Sequence, residues 1–289
     1  MDDSGAEGTG TVREERDRER PTGQRIAGNG LTATVDPRRG AKIVSLVDAN
    51  GYEWLLPPRD GAYPPGTPFT EAEMGGWDEC APSIVPCTLA DGREVPDHGD
   101  LWDVAWTGTA ELRVTGRSAP YEFRRTISAS DHGLRLDYEV TAERDMPFLW
   151  AAHPQFSAPP GTSVQLDVTD VVEVLDRPGA RESWTAACAT IDTVSPGGRR
   201  KVYADPDRVV DRAVLAVPGR GELELQWSGD IAPYVGLWFD AGAYARRPVI
   251  AIEPATGYYD SVAVAAATDR VLTLRAGTPV AWQVEVGVR

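Results

Sequence analysis

The chain has 289 residues, 42% hydrophobic and 25% charged, enough apolar material to bury a sizeable core. A net charge of -15 and a pI near 4.7 argue against nucleic acid as a partner, because that affinity rests on clustered Lys and Arg. No apolar run approaches the roughly 20 residues that span a bilayer, and Cys80, Cys87 and Cys188 are too irregularly spaced for a disulfide framework or a zinc knuckle, so they read as reduced thiols of a cytoplasmic protein with no membrane partner.

Residues 1–22 mix charges without large apolar residues or an apolar signal-peptide core, which predicts a solvated, disordered N-terminal tail. From residue 23 to 289 neither a linker nor an internal repeat interrupts the pattern, so a single domain is expected. Leu31, Ala33 and Val35 alternate against threonines, and Ile43 to Val47 follows a turn, giving a pair of strands. Asn50-Gly51 is a hairpin signal, and Glu53 to Leu56 supplies a returning strand. The stretch from Gly75 to Trp102 has neither period and is punctuated by Pro82, Pro86, Asp91-Gly92 and Pro96. It reads as a long ordered loop.

Short strand patterns then recur at Asp103 to Thr107, Glu111 to Val114, Tyr121 to Ile127 and Leu134 to Val140, the last two joined by a Ser130–Gly133 turn. Met146 to Phe156 is an apolar run interrupted by His153, and Ser163 to Val174 continues the β pattern. Further strands are expected at Arg212 to Val217, Glu222 to Trp227, Tyr234 to Phe239, Val249 to Glu253, Val271 to Leu274 and Val280 to Val288. The fold class predicted is all-β, a large antiparallel β-sandwich.

Only three histidines exist. His132 sits in a turn and has a solvated structural role. His98 stands beside Asp97, Asp100 and Trp102 in the long loop, His153 interrupts an apolar strand, and Glu253 ends another before Pro254. Read alone, His153 is as well explained by a satisfied core position, His98 by a loop bridge, and Glu253 by an ion pair with Arg246 or Arg247. Tryptophan beside carboxylates and histidine is also what a sugar site needs, an indole covering the apolar face of a pyranose while charged groups take its hydroxyls.

Taken together, PRRGAKIVSLVDANGYEWL, PDHGDLW, AAHPQF and IEPATGYYD, spread in order from Leu31 to Asp260, resemble the motifs of the aldose 1-epimerase (galactose mutarotase-like) superfamily. That resemblance implies a supersandwich fold and a cofactor-independent mutarotase that interconverts the anomers of a free aldose, with no metal. It makes Glu253 the general base, His153 the general acid and His98 a second histidine near the ring oxygen. Asp240 matches the family's hydroxyl-gripping aspartate, while no arginine before His98 matches its arginine. Trp77, Asp78 and Glu79 are the candidates to replace those contacts, with Asp97, Trp102 and Trp238 as further sugar contacts. Ser157 stands where the family usually has Asn.

The three catalytic candidates are expected to line one open pocket. The partner expected is a neutral small-molecule sugar, and the chain a monomer or homodimer. Two other readings stay open: a carbohydrate-binding or sensing protein on the same fold, and a metal enzyme using His98, His153 and Glu253 as a 2-His-1-carboxylate set.

Overall fold

In the computed structural model, which describes residues 23–59, 67–72 and 75–289, two antiparallel sheets pack face to face. The expected tail, residues 1–22, lies outside the described residues. The larger sheet has eleven strands. Its order is Gln24–Ala27, Leu31–Asp36, Lys42–Asp48, Trp77–Cys80, Ala151–Pro154, Val249–Ala255, Tyr234–Asp240, Arg199–Ala204, Asp170–Glu173 and Arg181–Ser183, with Phe156–Ser157 also pairing Val249–Ala255. The second sheet, of eight strands, is centred on Gly133–Ala142 between Val280–Val288 and Tyr121–Ser130.

The strictly alternating sequences pair where their apolar rows coincide. Leu134, Leu136, Tyr138 and Val140 stand opposite Val286, Val284, Trp282 and Val280, and this row faces the large sheet. From the other side Ile43, Trp77, Val202, Leu237, Ile250 and Ile252 complete one continuous core. The central strands of the large sheet are covered on both faces, so Val249–Ala255 is buried at every position and its sequence, VIAIEPA, reads as an apolar run rather than an alternation.

The Gly75–Trp102 stretch is a correction. It is not structureless: Trp77–Cys80 is an interior strand of the large sheet, and Cys87–Thr88 pairs with Glu94–Val95. Its sequence, WDEC, hides the strand because two of its four buried positions are carboxylates. Each is matched by a buried cation: Asp78 lies 2.8 Å from Lys42 Nζ on one face, and Glu79 lies 2.7 Å from Arg125 on the other. Two weaker expectations shrink as well. Glu53 to Leu56 makes only isolated bridges, and of Asp103 to Thr107 only Thr107 joins a strand.

The outward face of the large sheet positions the candidate site. At one end it is roofed by the helix Val262–Ala267 with Ile84 and Leu149, packed on Cys80, Ala151 and Ala255. At the other, Leu56 and Ala245 cover Val249. Asp78, His153, Glu253 and Lys201 stand between these two apolar patches.

Candidate active site

Strand register brings the site together. Asp78 pairs with His153, Gly236 pairs with both Glu253 and Tyr203, and Lys201 pairs with Trp238. Directly paired residues project to one face of a sheet and i, i+2 residues share it, so Asp78, Cys80, His153, Glu253, Trp238, Lys201 and Tyr203 all face outward. Gly236 matters here because a Cβ on it would come within 3.1 Å of Tyr203 and 3.3 Å of Lys201. Without one, the Lys201 side chain crosses the strand to reach Glu253.

His98 arrives from a loop. Gly99, with φ +74, lies so close to the Trp77–Cys80 strand that a Cβ there would sit 2.0 Å from the Ala81 carbonyl oxygen, and the pair forms a parallel bridge. Asp100 holds the loop by accepting hydrogen bonds from the Arg117 and Ser118 amides and the Ser118 and Tyr121 hydroxyls. His98 itself takes φ +58. Its ring stacks on Phe69, with centroids 3.7 Å apart, and lies 5.1 Å from the His153 ring.

At the centre, Glu253 Oε2 accepts a hydrogen bond from Lys201 Nζ, which also lies 3.3 Å from Asp260 Oδ1. Tyr203 donates to the same Asp260 oxygen at 2.7 Å. Among the described residues Glu253 Oε1 has no hydrogen-bond partner, though it is buried and lies 3.7 Å from His153 Nε2. The Gln155 side-chain amide is 3.0 Å from that imidazole nitrogen.

Burial pushes the Glu253 carboxyl above the ordinary carboxylate range, and the Lys201 ammonium opposes this. For Lys201 burial works against the charge, but Asp260 and Glu253 together outweigh it and hold its pKa up. Burial, with the positive charge of His98, Lys201 and Lys42, holds His153 well below the usual imidazole value. The unliganded site therefore contains a charged lysine beside Glu253 and a neutral His153 at neutral pH.

Not every expected contact is here. Trp77 and Glu79 point into the sandwich interior, because strand residues alternate and Asp78 takes the outward side. Asp240 is buried and accepts the amides of Gly242, Ala243, Tyr244 and Ala245, so both its oxygens are spent on shaping a turn. Asp78 faces the site but is paired with Lys42. Trp102 is buried behind Phe69, its indole N–H donating to the Asp97 carbonyl. Asp97 lies 3.0 Å from His98 Nδ1. Trp238 is half-buried on the site face, its ring 6.0 Å from that of Tyr244.

The open pocket expected from the sequence is closed. Glu253 has no exposed surface, His153 is 4% exposed and the His98 side chain 15%. Phe69 covers the imidazoles and Lys201 covers the carboxylate.

No protein-family model matches the chain, and no curated protein matches it in sequence. Solved structures do match in shape. The Slr1438 protein of Synechocystis sp. PCC 6803 superposes with a TM-score of 0.72 at 16% identity, over 94% of this chain and 97% of its own. A galactose mutarotase-like protein from Lactobacillus casei ATCC 334 gives 0.68 at 21% identity, over 92% and 99%. A galactose mutarotase related enzyme from Lactobacillus acidophilus gives 0.69 at 13% identity, over 93% and 97%.

The fold is that of the galactose mutarotase-like proteins.

On this galactose mutarotase-like scaffold, five residues at the site escaped the sequence reading: Lys201, Asp260, Phe69, Gln155 and Cys80. Asp260 closes the quoted IEPATGYYD motif, and Gln155 lies inside AAHPQF. Lys201 carried a signal of a different kind. The chain has only two lysines, Lys42 and Lys201, among 29 basic residues, and both are buried on the face that carries Glu253. Each places a compact ammonium against a carboxylate of that face, Lys42 against Asp78 and Lys201 against Glu253.

Proposed function

We propose that the chain is an aldose 1-epimerase, interconverting the α and β anomers of a free aldose by proton transfer between Glu253, His153 and the sugar. The observation that carries this reading is the asymmetry of Glu253: one oxygen is fixed by Lys201, and the other is buried without a partner 3.7 Å from His153 Nε2. A carboxylate oxygen desolvated in this way is a base lacking only its substrate proton. The likeness in fold to mutarotase-related proteins supports the reading.

In the forward step Glu253 Oε1 takes the proton of the anomeric hydroxyl. The electron pair left on that oxygen forms the C1 carbonyl, the bond from C1 to the ring oxygen breaks, and the ring oxygen takes a proton from His153. Rotation about C1–C2 and the reverse transfers close the ring as the other anomer. Burial keeps few His153 rings protonated, but it makes each imidazolium a stronger acid toward the weakly basic ring oxygen. His98, positioned by Asp97 and Phe69, supports the same oxygen, and Trp238 offers a stacking face. Entry runs past the His98 and Asp97 edge, where the two side chains are 15% and 36% exposed, and displaces Phe69.

A neutral aldose is the preferred ligand, since both lysines on this face are already engaged with carboxylates. The test follows anomer exchange by NMR for a panel of free aldoses and hexose 6-phosphates. Exchange at least tenfold above buffer for one free aldose is expected, with an optimum on the acid side of the ordinary imidazole value of about 6.5. Binding of an aldose with exchange no faster than buffer would make the protein a carbohydrate-binding one instead.

A further inference from the structure

Cys80 takes no part in the proton transfers, yet its thiol stands against both imidazoles. Its Sγ and one ring nitrogen each of His98 and His153 all lie within 4.8 Å of one another. Zinc bonds of about 2.3 Å to sulfur and 2.0–2.1 Å to nitrogen place tetrahedral ligands roughly 3.3–3.6 Å apart, so closing this triangle takes movements on the order of 1 Å. We propose that Cys80, His98 and His153 form a binding site for a borderline-soft divalent transition ion, zinc foremost, with Glu253 Oε1, which lies outside that triangle, moving in as the fourth ligand.

Three observations besides proximity point the same way. The donors sit on parts of the fold that are already fixed, since Cys80 and His153 lie on paired strands of the large sheet and His98 is stacked against Phe69. The Asp97 carboxylate lies 3.0 Å from His98 Nδ1 without a formed hydrogen bond, and a small turn of the ring would give the pairing that orients a metal-binding imidazole and leaves its other nitrogen to coordinate. Glu253 Oε1 is fully buried, without a hydrogen-bond partner among the described residues and 3.7 Å from His153 Nε2, so an acceptor oxygen already faces the histidine. One thiolate, two imidazoles and one carboxylate suit zinc or cobalt and are too soft for magnesium or calcium. Coordination removes the thiol proton, which passes to the buffer. Because the ion would occupy both histidines, it would also exclude an aldose from them. That consequence rests on the mutarotase reading, whereas the binding itself does not.

The test uses the full chain without an affinity tag, titrated with cobalt(II) as a spectroscopic stand-in for zinc. One cobalt per chain is expected, with the visible bands of a tetrahedral ion and a near-ultraviolet sulfur-to-cobalt charge-transfer band, both displaced by zinc. Cys80→Ser should abolish the charge-transfer band, and a Cys87→Ser/Cys188→Ser double variant should keep it. Asp97→Asn should weaken cobalt binding by about 10- to 100-fold. Should Cys80→Ser fail to fold, His98→Ala at the more exposed ligand carries the same question, and its expected result is loss of tetrahedral binding. Zinc should slow anomer exchange in the wild type. An unchanged band in Cys80→Ser, its loss in the Cys87/Cys188 variant, or no cobalt bound at micromolar concentration overturns the proposal. A wild type that binds cobalt yet exchanges no aldose would instead overturn the mutarotase reading and leave the metal site standing.

Discussion

Glu79 and Glu253 are both fully buried carboxylates on the large sheet, each paired with a cation from another strand, and burial raises the pKa of both. They face opposite sides. Glu79 points between the sheets, where Oε1 accepts from Arg125 at 2.7 Å and Tyr138 at 3.0 Å, and Oε2 accepts from Trp150 at 2.8 Å. Glu253 points outward with one oxygen bonded to Lys201 and the other unmatched. A carboxylate with both oxygens hydrogen-bonded holds a structure together, and one with an unmatched oxygen is the candidate for chemistry. Identity and burial do not separate the two cases. Hydrogen-bond satisfaction does.

The sharpest way to break that contrast is Glu253→Gln, which keeps the shape but cannot accept a proton. Anomer exchange measured by NMR should fall by roughly 10²- to 10⁴-fold, while the melting temperature moves far less than in the next variant. Arg125→Met leaves Glu79 as an uncompensated buried charge and should cost about 3–5 kcal/mol in urea unfolding, with little change in exchange by the molecules still folded. A large loss of stability in Glu253→Gln and none in Arg125→Met would reverse the assignment of the two glutamates.

Lys201→Met probes the cation on the functional side. The ammonium favours the ionised carboxylate, so its removal should raise the Glu253 pKa further and move the acid limb of the pH–rate profile upward, with exchange at neutral pH down about tenfold. A profile with unchanged limbs would limit Lys201 to packing.

The smallest effect concerns His153 and the stability of the fold. Its native pKa lies well below the ordinary value of about 6.5, so the unfolded chain takes up the proton first as the pH falls. Stability is therefore full above about pH 6.5 and is lost progressively down to the native pKa, by at most about 1.4 kcal/mol per pH unit. His153→Gln should flatten that part of the profile in urea titrations, and an identical slope in both proteins would refute a neutral, buried His153.

Much of the sandwich was legible because its second sheet shows one face to the core and one to water. Leu134 to Val140 and Val280 to Val288 alternate in sequence as they do in space. The large sheet was harder. Trp77–Cys80 passed for loop because a strand buried on both faces loses its period, and Asp78 and Glu79 look exposed until Lys42 and Arg125 are placed beside them. The motif residues His98, His153 and Glu253 were legible as candidates. Their neighbours were not, because Lys201 reaches Glu253 from a strand 52 positions away and only by crossing the bare backbone of Gly236. Asp240 misled for the opposite reason: a polar residue at a strand end serves a turn as readily as a ligand.

The scarcity of lysine has a practical side. Lys42 has no exposed surface and Lys201 is 4% exposed, so amine-reactive reagents and lysine-specific proteases find no side-chain target on the folded surface. Acylation of Lys201 then becomes a clock for the opening of the candidate site, and protection of that amine by a bound aldose would report occupancy without any catalytic assay.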